Sequence, residues 1–187
     1  MKNYFLKQLI AISCFFLFNT LLFGQSLKLY LDIPSIQGYC TSSTFLNHHE
    51  LLAFEYGASV PVDVVAIPPV GNFESGCIAF TRKTDKATPI MLQKLANGQK
   101  IDNGPITFKF SLTTQTGPVI VSEIELCEAY FKDYSTGFID GDSYREENFS
   151  IAFTRIKITQ WDSGNPQDPP TVFCWDIALN APGSCCN

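Results

Sequence analysis

The chain has 187 residues, 45% hydrophobic and 13% aromatic but only 17% charged, with a net charge of −5. That is ample apolar material for one core and little for a solvated tail, since soluble domains carry roughly 25% charged residues. No basic cluster exceeds the pair Arg82-Lys83, which argues against nucleic acid as a partner and against docking on anionic membranes.

Lys2 and Lys7 open a basic start, Leu9 to Phe23 is almost wholly apolar, and Gly24-Gln25 supplies a small residue for cleavage. This pattern is that of a cleaved secretory signal, residues 1–24, rather than a retained membrane anchor, which needs about 20 apolar residues. The sequence therefore predicts a single mature domain, residues 25–187, outside the cytoplasm, either secreted or periplasmic and with no membrane attachment once the signal is gone. Removing residues 1–24 leaves 163 residues with 11 basic against 18 acidic side chains, a net charge of −7. Six cysteines remain, Cys40, Cys77, Cys127, Cys174, Cys185 and Cys186. An even number in an exported chain reads as disulfides of undetermined pairing, and the short paired spacing that zinc sites use is missing.

Along the mature chain the dominant period is two. Leu27 to Ile33 alternates with every leucine on one face, and Leu52 to Tyr56 and Cys77 to Thr81 are shorter strand candidates. Between them runs an apolar, proline-punctuated stretch carrying Val60, Val62, Val64, Val65, Ile67 and Val70. It reads either as an irregular edge strand or as a contact surface for a neighbouring subunit or partner. A single helix is expected after Thr88, with Thr88 as N-cap, Pro89 in the first turn, Gly98 as terminator, and Met91, Leu92 and Leu95 on one face. Ile106 to Leu112 and Phe173 to Leu179 are two further alternating strands.

Two stretches change phase part-way. From Val119 to Phe131 the inward set begins as Ile120, Ile124 and Leu126 and ends as Cys127, Ala129 and Phe131. From Phe149 the set Phe149, Ile151 and Phe153 gives way to Ile156 and Ile158. A one-residue slip turns every side chain to the other face, so each stretch needs a bulge or sharp bend, the device by which a sheet curls. The expected fold is mainly β, a small barrel of two curved, mostly antiparallel sheets with one short flanking helix.

Residues for chemistry are few. His48 and His49 are the only histidines, and a solvated strand edge is the expected setting for His48-His49-Glu50. Asp140-Gly141-Asp142 with Glu146-Glu147 reads as a polar turn, because the spaced ligands of a calcium loop are missing. Glu123, Glu125 and Glu128 could suggest paired carboxylates, but the first two fall on the outward face of a strand. No catalytic residue, metal or cofactor is assigned, and no enzyme is expected.

The order of the segments resembles the Hcp family, the tube protein of bacterial type VI secretion systems. Phe80-Thr81-Arg82-Lys83-Thr84-Asp85-Lys86-Ala87-Thr88-Pro89 is similar to the family's F-x-K-x-x-D-K-S-T-P before its helix. Asp32 to Gly38, Glu128 to Gly137, Glu147 to Phe153 and Cys174-Trp175-Asp176-Ile177 with Asn180 resemble further family segments in the same order. The resemblance implies a small β-barrel that assembles head-to-tail into hexameric rings, stacks as a tube and carries effectors, without enzymatic activity. Tube-type members carry no N-terminal signal, so the expectation is a secreted Hcp-like structural protein that self-associates or binds a partner outside the cytoplasm. The alternatives are a genuine tube subunit, and a secreted effector or hydrolase on the same scaffold.

Overall fold

A computed structural model describes residues 26–61, 72–138, 144–162, 168–183 and 186. The elements are β1 (Leu27–Asp32), β2 (His49–Glu55), β3 (Ala58–Ser59), β4 (Glu74–Ser75), β5 (Ile78–Lys83), α1 (Thr88–Ala96), β6 (Ile106–Thr114), β7 (Gly117–Cys127), β8 (Tyr130–Gly137), β9 (Glu146–Ala152), β10 (Arg155–Gln160) and β11 (Thr171–Asp176). Nine strands form one antiparallel sheet in the order β11-β10-β7-β6-β1-β2-β5-β9-β8, and β3 and β4 pair as a separate two-stranded hairpin. The mainly β fold with one helix among the described residues is thus as expected, its two curved halves being continuous through β1 and β2.

The sheet curls until its two ends share one core. Ile156 of β10 near one end and Phe131 of β8 at the other belong to the same buried cluster as Leu31, Phe80, Phe108, Leu126 and Phe149. Burying each such side chain contributes roughly 1.5–3 kcal/mol. Aromatic rings fill the centre, with Phe80 lying 5.8 Å from Phe149 and 5.9 Å from Phe108, centroid to centroid.

Both phase changes fall at breaks between strands. The Val119–Phe131 stretch is two strands, β7 and β8, separated at Glu128, which takes φ +51°. Side chains on both sides of that break, Leu126, Cys127, Ala129 and Phe131, are all buried. The second stretch breaks at Phe153-Thr154, between β9 and β10. The two breaks lie side by side, because the Thr154 amide donates to the Cys127 carbonyl at 3.3 Å. At this point the chain passes from the β7/β10 half of the sheet to the β8/β9 half.

Three local expectations need correction. Thr88 is not the N-cap: its hydroxyl is turned into a buried polar cluster, and the Ala87 amide ahead of the helix donates instead to Asp85 Oδ1 at 2.7 Å. The Phe173–Leu179 strand ends at Asp176, where Ile177–Asn180 turns back and leaves Leu179 75% exposed. Tyr30 alternates outward from the core yet is buried, because the loop after β1 folds over it and stacks Phe45 on its ring at 4.0 Å.

That loop is held by Gly38, whose amide donates to the Asn47 carbonyl at 2.7 Å. A Cβ on Gly38 would overlap the His48 carbonyl and lie 2.7 Å from the His49 nitrogen. Gly38→Ala is expected to destabilise the fold by about 1–3 kcal/mol, as overpacking does, measured by urea denaturation. An unchanged midpoint would mean that the loop can move off the barrel freely.

Candidate assembly surface

The apolar stretch identified in the sequence begins directly after β3 and ends shortly before β4. Val60 at its start is 44% exposed, while Val62, Val64, Val65, Ile67 and Val70 lie outside the described residues. The hairpin stands beyond β2, tied at its base by Gly76 donating to the Gly57 carbonyl at 2.9 Å and by Tyr56 Oη 3.2 Å from Ser75 Oγ. On the returning side the Phe73 amide donates to Asn180 Oδ1, and Asn180 Nδ2 donates to Asn72 Oδ1, both at 2.9 Å. The Phe73 ring packs 5.5 Å from Trp175 and 6.2 Å from Phe173. Asn180 adopts φ +48°, a backbone state that asparagine tolerates better than most residues. Asn72 and Phe73 therefore sit beside β11, where Val172 and Phe173 are themselves exposed.

Sequence reasoning quoted Asn180 only as part of a resemblance and missed Phe73 altogether. Nothing in the local pattern around Phe73 distinguishes a ring that docks on a strand 100 residues away.

The cysteines divide. Cys127 at the end of β7 is bonded to Cys186, and Cys174 on β11 is also disulfide-bonded. Cys40 and Cys77 are free thiols, contrary to the expectation that all six pair, and Cys185 lies outside the described residues. Cys40 follows Gly38 in the loop before β2 and Cys77 directly precedes β5; since β2 and β5 run antiparallel, the two thiols sit at opposite ends of that ladder. The cleavage position at Gly24 and Gln25 and the Asp140-Gly141-Asp142 turn also lie outside the described residues.

Neither histidine lies on a solvated edge. His48 places Nδ1 3.1 Å from the Leu46 carbonyl and Nε2 3.0 Å from Lys109 Nζ, which in turn binds Asp32 at 2.9 Å. On the same outer sheet face Lys157 pairs with Glu125, and burial raises the pKa of neighbouring Glu123. Glu128, at the strand break, pairs with Lys100 at 3.1 Å in solvent. Of the three glutamates, Glu125 thus serves a cross-strand salt link and Glu128 a salt link at the strand break.

His49 is buried on the opposite face of β2, and Glu147, expected in a polar turn, is fully buried in β9. Both meet Arg82, whose side chain is 1% exposed. Its five N–H groups all find acceptors: Nε donates to Glu147 Oε1 at 2.7 Å, Nη1 to His49 Nδ1 and Asp85 Oδ2, and Nη2 to Asp85 Oδ1 and Thr88 Oγ1. Thr88 Oγ1 passes its own proton to Glu147 Oε1 at 2.8 Å. Because arginine can only donate, His49 Nδ1 must accept, so the ring proton sits on Nε2 and is donated to the Ile36 carbonyl at 2.9 Å. Burial first, and the Arg82 charge second, push the His49 pKa down to about 4.

A protein-family model described as type VI secretion system effector, Hcp, matches residues 30–160. The chain belongs to the Hcp family. Among curated proteins none matches. The fold is similar to that of solved Hcp structures: Hcp1 from Salmonella typhimurium at TM-score 0.67 and 16% identity, over 83% of this chain and 97% of that one. A protein titled as a type six secretion system protein gives 0.71 and 14% over 83% and 99%, and a type VI secretion system effector from Yersinia pestis gives 0.64 and 15% over 80% and 99%.

Membership gives the motif ahead of the helix a physical meaning. In Phe80–Pro89 the Hcp-like residues Asp85 and Thr88, and Arg82 where the family motif has lysine, all belong to the buried cluster, while Phe80 is the central core ring. Truncating one member leaves the others desolvated and unpaired, so Glu147→Ala is expected to cost about 3–5 kcal/mol, read as a shift in the denaturation midpoint. Arg82→Lys should not restore it, since an ammonium has three donors and no planar fork.

Acid should act through His49. The unfolded state binds its proton near pH 6.5 whereas the fold holds the ring neutral to about pH 4. Stability that is complete above pH 6.5 is therefore lost as pH falls toward 4, by up to roughly 3 kcal/mol. A His49→Gln variant should flatten that slope in a series of denaturation curves between pH 7 and 4.

Proposed function

We propose that this chain is a secreted Hcp-like structural protein. Residues 1–24 act as a signal removed near Gly24 and Gln25, and residues 25–187 form one barrel domain that self-associates in a ring outside the cytoplasm. Hcp proteins form homo-oligomeric rings in type VI secretion systems, with six subunits as the geometry this reading adopts. The ring, or its individual subunits, carries or binds a secreted partner.

The observation that carries the reading is the anchored apolar stretch. Val60 is exposed at its start and Asn72-Phe73 is clamped beside the exposed β11 at its end, and in the sequence Val62, Val64, Val65, Ile67 and Val70 fall between these two described points. Apolar surface of this kind on a soluble protein marks an interaction site. The mature charge of −7 keeps single subunits soluble until that surface is covered.

Sedimentation and negative-stain imaging of the oxidised protein should reveal rings. A strict monomer at high concentration would remove the ring. Val64→Asp with Ile67→Asp should weaken association by roughly tenfold or more, about 1.4 kcal/mol, while the denaturation midpoint stays put. Family membership favours a second reading, a tube subunit exported by the type VI apparatus itself. N-terminal sequencing of the exported protein separates the two, since a start at Gln25 or Ser26 excludes the second.

A further inference from the structure

We infer that Cys40 and Cys77 are the two halves of a disulfide between copies of this chain, Cys77 of one copy joined to Cys40 of the next. The inference deepens the self-association reading above and rests on it, because two copies must meet.

Both thiols are free and half-buried, and they cannot pair within one chain. Cys40 is fixed beside the start of β2, its amide donating to the His48 carbonyl at 3.1 Å and its carbonyl accepting from the Asn47 amide at 3.0 Å. There it lines a cavity of about 300 Å³ with Glu50, Leu52, Lys83 and Thr84. Lys83 ends β5, whereas Cys77 directly precedes Ile78, its first residue. Six steps along a strand span roughly 20 Å, and a disulfide needs Cα atoms within about 7 Å. The two thiols nevertheless share one flank of the barrel. Ile78, Phe80 and Arg82 are buried, so Cys77 has the outward parity of Ala79, Thr81 and Lys83, and Cys40 borders the cavity that Lys83 also lines. A second copy displaced along β5 by about the length of that strand brings its Cys77 to the Cys40 of the first. Such a contact joins two different patches, so each linked copy keeps a thiol for a further one.

Charge favours this pairing over its alternatives. Near Cys77, Glu55 pairs in register with Ala79 and Glu74 lies three residues before the thiol. Both carboxylates are exposed, and neither forms an ion pair among the described residues. Beside Cys40, Lys83 is exposed too, its ammonium 4.0 Å from the centre of the Tyr144 ring and likewise in no ion pair among the described residues. Two Cys77 ends would oppose carboxylates, whereas Cys77 against Cys40 brings Glu55 and Glu74 toward Lys83. The oxidant is a small disulfide of the glutathione type. Cys40, as its thiolate, attacks one sulfur of that disulfide, whose S–S bond breaks; one small thiolate leaves and takes the proton that Cys40 lost. The thiolate of Cys77 on another copy then attacks Cys40 Sγ, forms the link between chains and expels the second small thiolate, which takes the Cys77 proton. Two cysteines are oxidised by two electrons in all, and one small disulfide is reduced to two thiols.

The test uses the full chain carrying Cys14→Ser, so that residues 1–24 bring no thiol, incubated with glutathione disulfide. Non-reducing electrophoresis should show a ladder that runs past the dimer and collapses with dithiothreitol. Peptide mapping should find Cys40 joined to Cys77 with Cys127–Cys186 intact. Cys40→Ser alone and Cys77→Ser alone should each stay monomeric on that gel, while a mixture of the two variants should give a dimer and nothing larger. Salt at about 0.5 M, or Glu55→Lys with Glu74→Lys, should slow the ladder by roughly fivefold or more. The link is overturned by dimers from either single variant, by a Cys40–Cys40 or Cys77–Cys77 peptide, by the absence of any covalent species, or by a rate that neither salt nor the lysines change. Sedimentation of Cys40→Ser/Cys77→Ser reads association without the link. A monomer there beside a ladder in the parent counts against the non-covalent ring and leaves the link standing, whereas rings there with no ladder in the parent count against the link alone.

Discussion

Arg82 is the side chain around which the barrel is organised. Taking a guanidinium from water to a site 1% exposed costs several kcal/mol even after relaxation, and the structure offsets that cost by giving every one of its five N–H groups an acceptor. The acceptors come from different parts of the chain: His49 from the start of β2, Glu147 from β9, Asp85 and Thr88 from the turn into α1. Each must be in place for the charge to be tolerated. A hydrophobic replacement of similar volume could match the cluster in free energy; what it could not supply is direction. Five bonds of 3.2 Å or less fix where the helix begins and how β2, β5 and β9 lie in register.

The same constraint reaches the outer loops. His49 is fixed by Arg82 on one ring nitrogen and carries the Ile36 carbonyl on the other, so the loop after β1 is tied to the cluster through a single imidazole. His48, one residue earlier, points the opposite way and meets Lys109 and Asp32 on the outer face. Adjacent histidines therefore serve two separate polar systems, one dry and one wet, as the alternation of a strand requires.

How much of this is legible in the sequence depends on distance along the chain. The alternation of Ile106–Phe108, the phase changes near Cys127 and Thr154, and the helix after Thr88 are local patterns, and the structure follows them; further along β6, at the register shift beside Phe110-Ser111, Ser111 is buried and Phe110 and Leu112 only partly so. The buried cluster was partly legible too: Arg82 lies two residues from Phe80 and four from Ile78, and Glu147 lies two before Phe149, so both charges occupy inward positions of their strands. Reading Glu147 as part of a polar turn followed residue type instead of parity. Tyr30 and Phe73 are different. Each is buried or docked by a segment that approaches from elsewhere, Phe45 in one case and Trp175 in the other, and strand periodicity says nothing about which segment will cover a face. The cysteines fail for a related reason, since counting them assumed that an even number would all find partners, whereas Cys40 and Cys77 sit at opposite ends of the β2–β5 ladder.

The two ends of the sheet are held by different physics. Near Arg82, β5 and β9 have fully buried residues at alternate positions, and packing together with the polar cluster suffices. At the other end β11 has none fully buried, and its exposed Val172 and Phe173 contribute little to the core. An edge strand so poorly packed would fray, and here covalent bonds take the place of burial: Cys174 lies within β11, and Cys127–Cys186 closes a loop across 59 positions. By the loop-entropy estimate such a closure is worth about 4 kcal/mol, more than β11 could recover by burying one further side chain. Disulfides hold only where thiols are not kept reduced, so the hold on this end of the barrel depends on redox conditions in a way that the Arg82 core does not.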